Sequence, residues 1–102
     1  MIKIQISGEA LADLDEGFSF YENQGPGLGD YFTSQLHADI DGLKITAGIH
    51  GQPYRHLYRL LSRKFPYAIF YEFSHVRVLV VAVADSRRDP GWIKAHLNRR
   101  IP

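Results

Sequence analysis

Between Leu11 and Ala47 the apolar residues return every three or four positions, whereas beyond Gly48 they come in short β-branched and aromatic runs. A chain that changes period once in this way combines helices with a sheet, because a helical stripe and a strand face each need a second layer to bury them. The opening IKIQI alternates Ile2, Ile4 and Ile6 with polar residues, as a half-buried strand does. Ser7 then offers an N-cap hydroxyl, and Glu9 stands in the first turn near the positive end of a helix. Leu11, Leu14, Phe18 and Tyr21 make the first helical stripe. The stretch from Gln24 to Gly27, QGPG, breaks it. Phe32, Leu36, Ile40, Leu43 and Ala47 make the second stripe, with Gly48 as a C-terminal cap. So short a connection makes the two helices an antiparallel hairpin.

After the Gly- and Pro-containing loop GIHGQPYRH, the runs LYRLL, YAIFYEF and VRVLVVAVA read as three strands. Turns at Phe65-Pro66 and Ser74-His75 make consecutive antiparallel pairing the simplest topology. Asp89 as N-cap and Pro90 at the first helical position start a last helix that runs to Arg100. The predicted order is β-α-α-β-β-β-α, an α+β fold with the helical hairpin packed on a small, mainly antiparallel sheet and a short C-terminal helix. The 102 residues are expected to form a single domain, 1–102. A domain of this size buries roughly two-thirds of its unfolded surface and folds without metal or disulfide staples.

The chain contains no cysteine, which removes disulfides, thiolate zinc sites and cysteine nucleophiles and fits a reducing cytosol. The N-terminal stretch lacks the apolar region of a signal peptide, and the longest apolar run, Val78 to Ala84, is far short of a membrane span. A cytoplasmic protein without membrane contact is the expectation. The net charge of +1 conceals an asymmetry. Residues 1–47 carry two basic and eight acidic side chains, a net of −6, while residues 48–102 carry ten basic and three acidic, a net of +7. Two readings are open: the second half meets a polyanion or an acidic partner, or the two halves attract each other across the fold.

The five histidines, His37, His50, His56, His75 and His96, form no HxH, HxxH or HExxH pattern, so neither metal nor cofactor is expected. The glycines of GPGLG follow a helix, with no lysine after them as in a phosphate loop. Ser62 and Ser86 lack the surroundings of a nucleophile elbow. Tyr67, Ile69, Tyr71 and Phe73 share one strand face and read as core rather than as a base-stacking platform. The basic residues carry more chemistry. Arg59 and Arg63 lie on or just after the second strand, Lys64 at its turn, and Arg87 and Arg88 at the end of the fourth. Neighbouring strands bring such residues to one edge or end of the sheet, where guanidinium groups bind phosphate bidentately. The competing reading pairs Asp85 or Asp89 with Arg87 or Arg88 in a local network.

The helical stretch ALADLDEGFSFYENQGPGLGDYF, the strand pair RLLSRKFPYAIFYEF and the ending VVAVADSRRDPGWIKAHL resemble the RelE/ParE superfamily of toxins from bacterial type II toxin–antitoxin modules. The resemblance covers nearly the whole chain. It implies a small toxin held inactive by a cognate antitoxin that wraps its sheet and helices. Members of the ribonuclease branch cut ribosome-bound mRNA without metal, using basic residues around the phosphate and a C-terminal Tyr or His. Members of the ParE branch poison DNA gyrase and lack that set. Against the ribonuclease pattern, Tyr67 is followed by Ala68 rather than arginine, and Trp92, which exchanges no proton, fills the Tyr or His position. Arg59 falls where a basic residue is expected on strand two, and Arg87 or Arg88 where an arginine is expected after strand four. Tyr71, Glu72 or His56 are the remaining groups able to move a proton.

The catalytic residue, if there is one, is therefore left unassigned. Arg59, Arg63, Lys64, Arg87, Arg88 and Trp92 are the candidate phosphate or partner contacts. The expected function is that of a growth-inhibiting toxin acting on a protein target such as DNA gyrase. The alternatives are a ribosome-dependent, metal-independent mRNA endoribonuclease and an inactive relative that keeps only antitoxin binding.

Overall fold

The computed structural model describes residues 1–101. In chain order the elements are β1 (Lys3–Ile6), α1 (Gly8–Glu22), α2 (Leu28–Asp41), the one-turn α3 (Leu43–Thr46), β2 (Tyr58–Leu61), β3 (Tyr67–Ser74), β4 (Arg77–Asp85) and α4 (Pro90–Asn98). This is the predicted order with one refinement, since the second stripe is divided at Gly42 into α2 and α3. The four strands form one sheet in the order β1-β4-β3-β2, with β1 parallel to β4 and the other pairs antiparallel. No helix among the described residues is long and apolar enough to cross a membrane.

The sheet is covered on both faces. Leu14, Phe32, Leu36, Ile40 and Leu43 of the helices pack on Ile69, Tyr71, Val78, Val80 and Val83. On the other face Leu97 and Ile101 pack on Ala68, Phe70, Val81, Ala82 and Ala84, with Leu57 beside them. Tyr67, Ile69, Tyr71 and Phe73 do share the hairpin side, as their alternation requires.

Local chemistry sets the ends of the elements. The Ser7 hydroxyl accepts the Ala10 N–H at 3.0 Å, and Asp89 accepts the Trp92 N–H at 3.1 Å with Pro90 following it. Gly27 takes φ 87° in the hairpin turn, and the Glu22 carboxylate accepts its N–H at 3.2 Å and that of Gly29 at 3.0 Å. The expected stripe on α1 is corrected. Ala10, Leu14 and Gly17 are the buried line, and Leu11 is 46% exposed. Leu14 and Tyr21 keep their place against the core, and the Phe32 ring lies against Gly17 where a Cβ would overlap it, which brings Gly17 into the buried line.

A bulge in β4 positions everything that follows. Phe70 pairs with Ala82 and Tyr71 with Val80, so Val81 is the extra residue. Val78, Val80 and Val83 therefore face the hairpin, and Val81, Ala82 and Ala84 face α4. The ladder to β1 has ended by Val80, whose carbonyl accepts the Ser7 N–H at 2.9 Å. Beyond it, Asp13 of α1 accepts the Val83 N–H at 2.9 Å, and Arg100 donates to the Val81 carbonyl at 3.1 Å. Asp13 and Arg100 also pair with each other, each side chain 10% exposed, and so seal the unpaired edge of β4.

Candidate functional site

Two clefts flank α4, because a nine-residue helix covers less of the sheet than the hairpin does on the opposite face. The smaller, of about 150 Å³, lies between α4 and the β2-β3-β4 face and is lined by Arg59, Arg88, Lys94, Ser86 and Tyr54 over an apolar floor that includes Phe70 and Leu97. The larger, of about 570 Å³, lies between α4 and α1 and is lined by Asp13, Glu16, Asp85, Arg88, Trp92 and His96 among others. Arg88 borders both.

The six candidate contacts divide between these places. Arg59, on β2, and Arg88, after β4, share the smaller cleft. Arg63 turns away toward α2, where Asp39 receives it at 3.4 Å and the Ser62 hydroxyl at 2.7 Å. Lys64 is exposed in the turn between β2 and β3. Arg87 folds back on Asp85, donating from Nε at 3.0 Å and Nη2 at 2.8 Å. These bonds hold the Asp85 carboxyl below the usual carboxylate range, against the opposing effect of burial. The local network expected as the alternative therefore claims Arg87 and leaves Arg88 without a carboxylate partner among the described residues.

Arg88 is placed by an aromatic ring instead. Its guanidinium carbon lies 4.1 Å from the centroid of Trp92, and Trp92 stacks on His96 at 4.7 Å with the rings 12° apart. Trp92 and His96, four apart on α4, share one face of that helix, and Arg88 reaches the Trp92 ring from the turn before it. Burial, and after it the Arg100 charge, push the His96 pKa down, which favours the neutral ring. His96 and Lys94 were not among the residues expected to contribute. Once α4 was placed, alternation on the helix would have sent Lys94 to one cleft and His96 to the other.

The residues named as possible proton carriers lie elsewhere. Tyr71 is fully buried; its hydroxyl accepts the Gly48 N–H at 3.1 Å and meets His50 Nδ1 at 2.5 Å. Desolvation raises its pKa despite the Gly48 bond. His56 and Glu72 bond to each other at 2.7 Å, and neither lines the cleft that holds Arg59 and Arg88.

Comparison with known proteins decides the family. The model of the "ParE toxin of type II toxin-antitoxin system, parDE" matches residues 4–90. The chain belongs to the ParE toxin family. The matched span runs from β1 to the first residue of α4, so nearly all of that helix lies beyond it. Among solved structures, the chromosomal ParDE toxin–antitoxin system from P. aeruginosa superimposes with a TM-score of 0.76 at 15% identity, covering 83% of this chain and 96% of that one. This likeness confirms the ParE-type α+β fold. A mutant of the E. coli toxin RelE in its free state gives a TM-score of 0.48 at 14% identity, covering 98% of both chains. No curated protein matches the chain in sequence.

Proposed function

We propose that this ParE-family chain is the growth-inhibiting toxin of a type II toxin–antitoxin module, neutralised by a cognate antitoxin and directed at a protein target, most simply DNA gyrase. The observation that carries the choice of a protein target is the make-up of the cationic cleft. Around Arg59, Arg88 and Lys94 the lining is apolar apart from Ser86 and Tyr54, whose hydroxyl is engaged in donating to Asn98 at 3.0 Å, and no carboxylate or imidazole joins it. Cleavage of RNA through the ribose 2′-hydroxyl needs a group that takes up a proton near neutral pH within hydrogen-bond reach. His96, the nearest group of that kind on α4, faces the opposite cleft. The structural likeness to a ParDE system and the positive second half both support an antitoxin partner of acidic character.

A ribosome-dependent endoribonuclease is the second reading, favoured by the convergence of Arg59, Arg88 and Lys94 on a cleft that suits a phosphate. One pair of assays separates the two. Purified chain added to gyrase is expected to block supercoiling of relaxed plasmid, while mRNA in a reconstituted translation reaction stays intact. Specific cuts in ribosome-bound mRNA with supercoiling unaffected would overturn the proposal.

A further inference from the structure

The segment that leads from α3 to β2 passes from one face of the sheet to the other around the outer edge of β2. Its start lies on the hairpin side, where Gly48 and His50 meet the hydroxyl of the buried Tyr71. Its end lies on the α4 side, where the Leu57 N–H closes a turn on the Tyr54 carbonyl at 3.1 Å. There Asn98 Oδ1 accepts from the Tyr54 hydroxyl and from Arg55 Nη2, both at 3.0 Å. Between the two ends the Gly51 carbonyl accepts the Arg59 N–H at 2.9 Å, so the segment covers β2 where it crosses.

The tie at His50 fixes a count of protons. A phenol has one hydrogen to donate and lone pairs with which to accept. The Tyr71 hydroxyl accepts the Gly48 N–H at 3.1 Å, and its own hydrogen goes to His50 Nδ1 at 2.5 Å. His50 is therefore neutral and carries its hydrogen on Nε2. An imidazolium would bring a second donor to the same oxygen and leave the phenol hydrogen without an acceptor in the core, since Tyr71 is fully buried. Nothing nearby compensates for the added charge. Tyr71 of β3 is the titratable group in contact, Tyr58 of β2 stacks on that ring at 5.2 Å, and Lys44, the one charge on α3, is turned to Asp41. Burial lowers the His50 pKa, and no carboxylate among the described residues pairs with the ring. His56, later in the segment, responds with the opposite sign. It bonds to Glu72 at 2.7 Å, and a proton turns that bond into an ion pair.

We propose that the segment from Gly48 to Leu57 is a proton-operated strap: protonation of His50 releases its first half from Tyr71 and uncovers the outer edge of β2, while Asn98 and Glu72 keep its second half in place. The sign follows from the tie. The latched form is complete above the ordinary histidine range and is lost as pH falls through the lowered pKa of the folded chain.

Amide exchange by NMR on the full chain, expressed as protection relative to the unfolded chain at each pH, tests the strap from about pH 7.5 to about pH 4, with the His50 ring titration followed in the same samples. As the ring takes up its proton, the Gly48 and Arg59 amides are expected to lose about tenfold in protection, the worth of one buried donor left unpaired. The Leu57 amide and those between β3 and β4 are expected to keep theirs, which separates release of the strap from unfolding. In His50→Gln, whose side chain accepts from Tyr71 but does not titrate, protection at Gly48 and Arg59 is expected to be independent of pH. In His50→Ala it is expected to be low throughout. Protection that stays level while His50 protonates, or a ring still neutral at the acid end, overturns the proposal. So does a loss that persists with pH in His50→Gln, parent-like protection in His50→Ala, or a loss shared by the whole sheet.

Discussion

Asp13→Ala is expected to be among the most destabilising single changes outside the apolar core. The Asp13 carboxylate holds three donors: both Nη atoms of Arg100, one of them at 2.9 Å, and the Val83 N–H at 2.9 Å. Removing one partner of a buried ion pair costs about 3–5 kcal/mol, because the remaining charge stays desolvated. An orphaned backbone N–H adds about 1–3 kcal/mol where water does not reach it. Glu9 offsets part of this, since its carboxylate stands 3.7 Å from Arg100 Nε, although its side chain is 63% exposed. The net expectation is a loss of about 3 kcal/mol, which for a domain of this length lowers Tm by roughly 12 °C. Arg100→Met should lose about 2 kcal/mol, because Asp13 keeps its bond to Val83. The double variant Asp13→Leu/Arg100→Met should lose less than the sum, with a coupling of about 2 kcal/mol. Urea unfolding followed by far-UV circular dichroism and by the fluorescence of Trp92, the single tryptophan, measures all three. A loss under about 1 kcal/mol for Asp13→Ala would refute the reasoning, since that is the worth of an exposed pair. Additive single losses would refute it equally.

Two further predictions rest on single contacts. Gly17→Ala drives a methyl group into the Phe32 ring and should cost about 1–3 kcal/mol in the same urea titration, whereas Gly8→Ala, with nothing within 4 Å of the added atom, should leave the core undisturbed. Because burial lowers the His96 pKa, the folded chain binds its proton less readily than the unfolded chain, so this residue's contribution to stability is complete above about pH 6.5 and declines as pH falls through the folded pKa. The Trp92 emission, quenched by the imidazolium stacked on it, should titrate with a midpoint below that of free histidine, and His96→Gln should abolish the transition.

How much of this was legible in the sequence depended on whether polarity marked the position. The change of period at Gly48, the Ser7 and Asp89 caps and the QGPG break each involve a residue type with one strong local preference, and each was found where expected. The bulge at Val81 was not legible, because in VVAVA every residue is apolar and no alternation shows which face a position serves. Gly17 was passed over for Leu11 on α1, since a glycine adds nothing to an apolar stripe although it is what lets Phe32 approach. In the candidate site, Arg59 and Arg88 could be brought together from strand order alone. The diversion of Arg63 could not, because its partner Asp39 stands 24 positions away on a helix whose orientation the sequence leaves open.

The structure also tests one of the two readings of the charge asymmetry, that the halves neutralise each other. If the halves chiefly neutralised each other, most cations after Ala47 would meet carboxylates before it. Of those ten cations, Arg63 and Arg100 reach across, to Asp39 and to Asp13 and Glu9, while Arg87 pairs within its own half. The remaining seven, Arg55, Arg59, Lys64, Arg77, Arg88, Lys94 and Arg99, have no carboxylate within bonding distance among the described residues. Four of those seven line the clefts beside α4: Arg59 and Lys94 the smaller, Arg99 the larger, and Arg88 both. Arg88 is held in place by Trp92 rather than by an anion, so its charge is already ordered yet not neutralised. A preordered, uncompensated cation loses little freedom on binding and focuses the field at the cleft mouth. The charge of the positive half is therefore largely left uncompensated by the negative half.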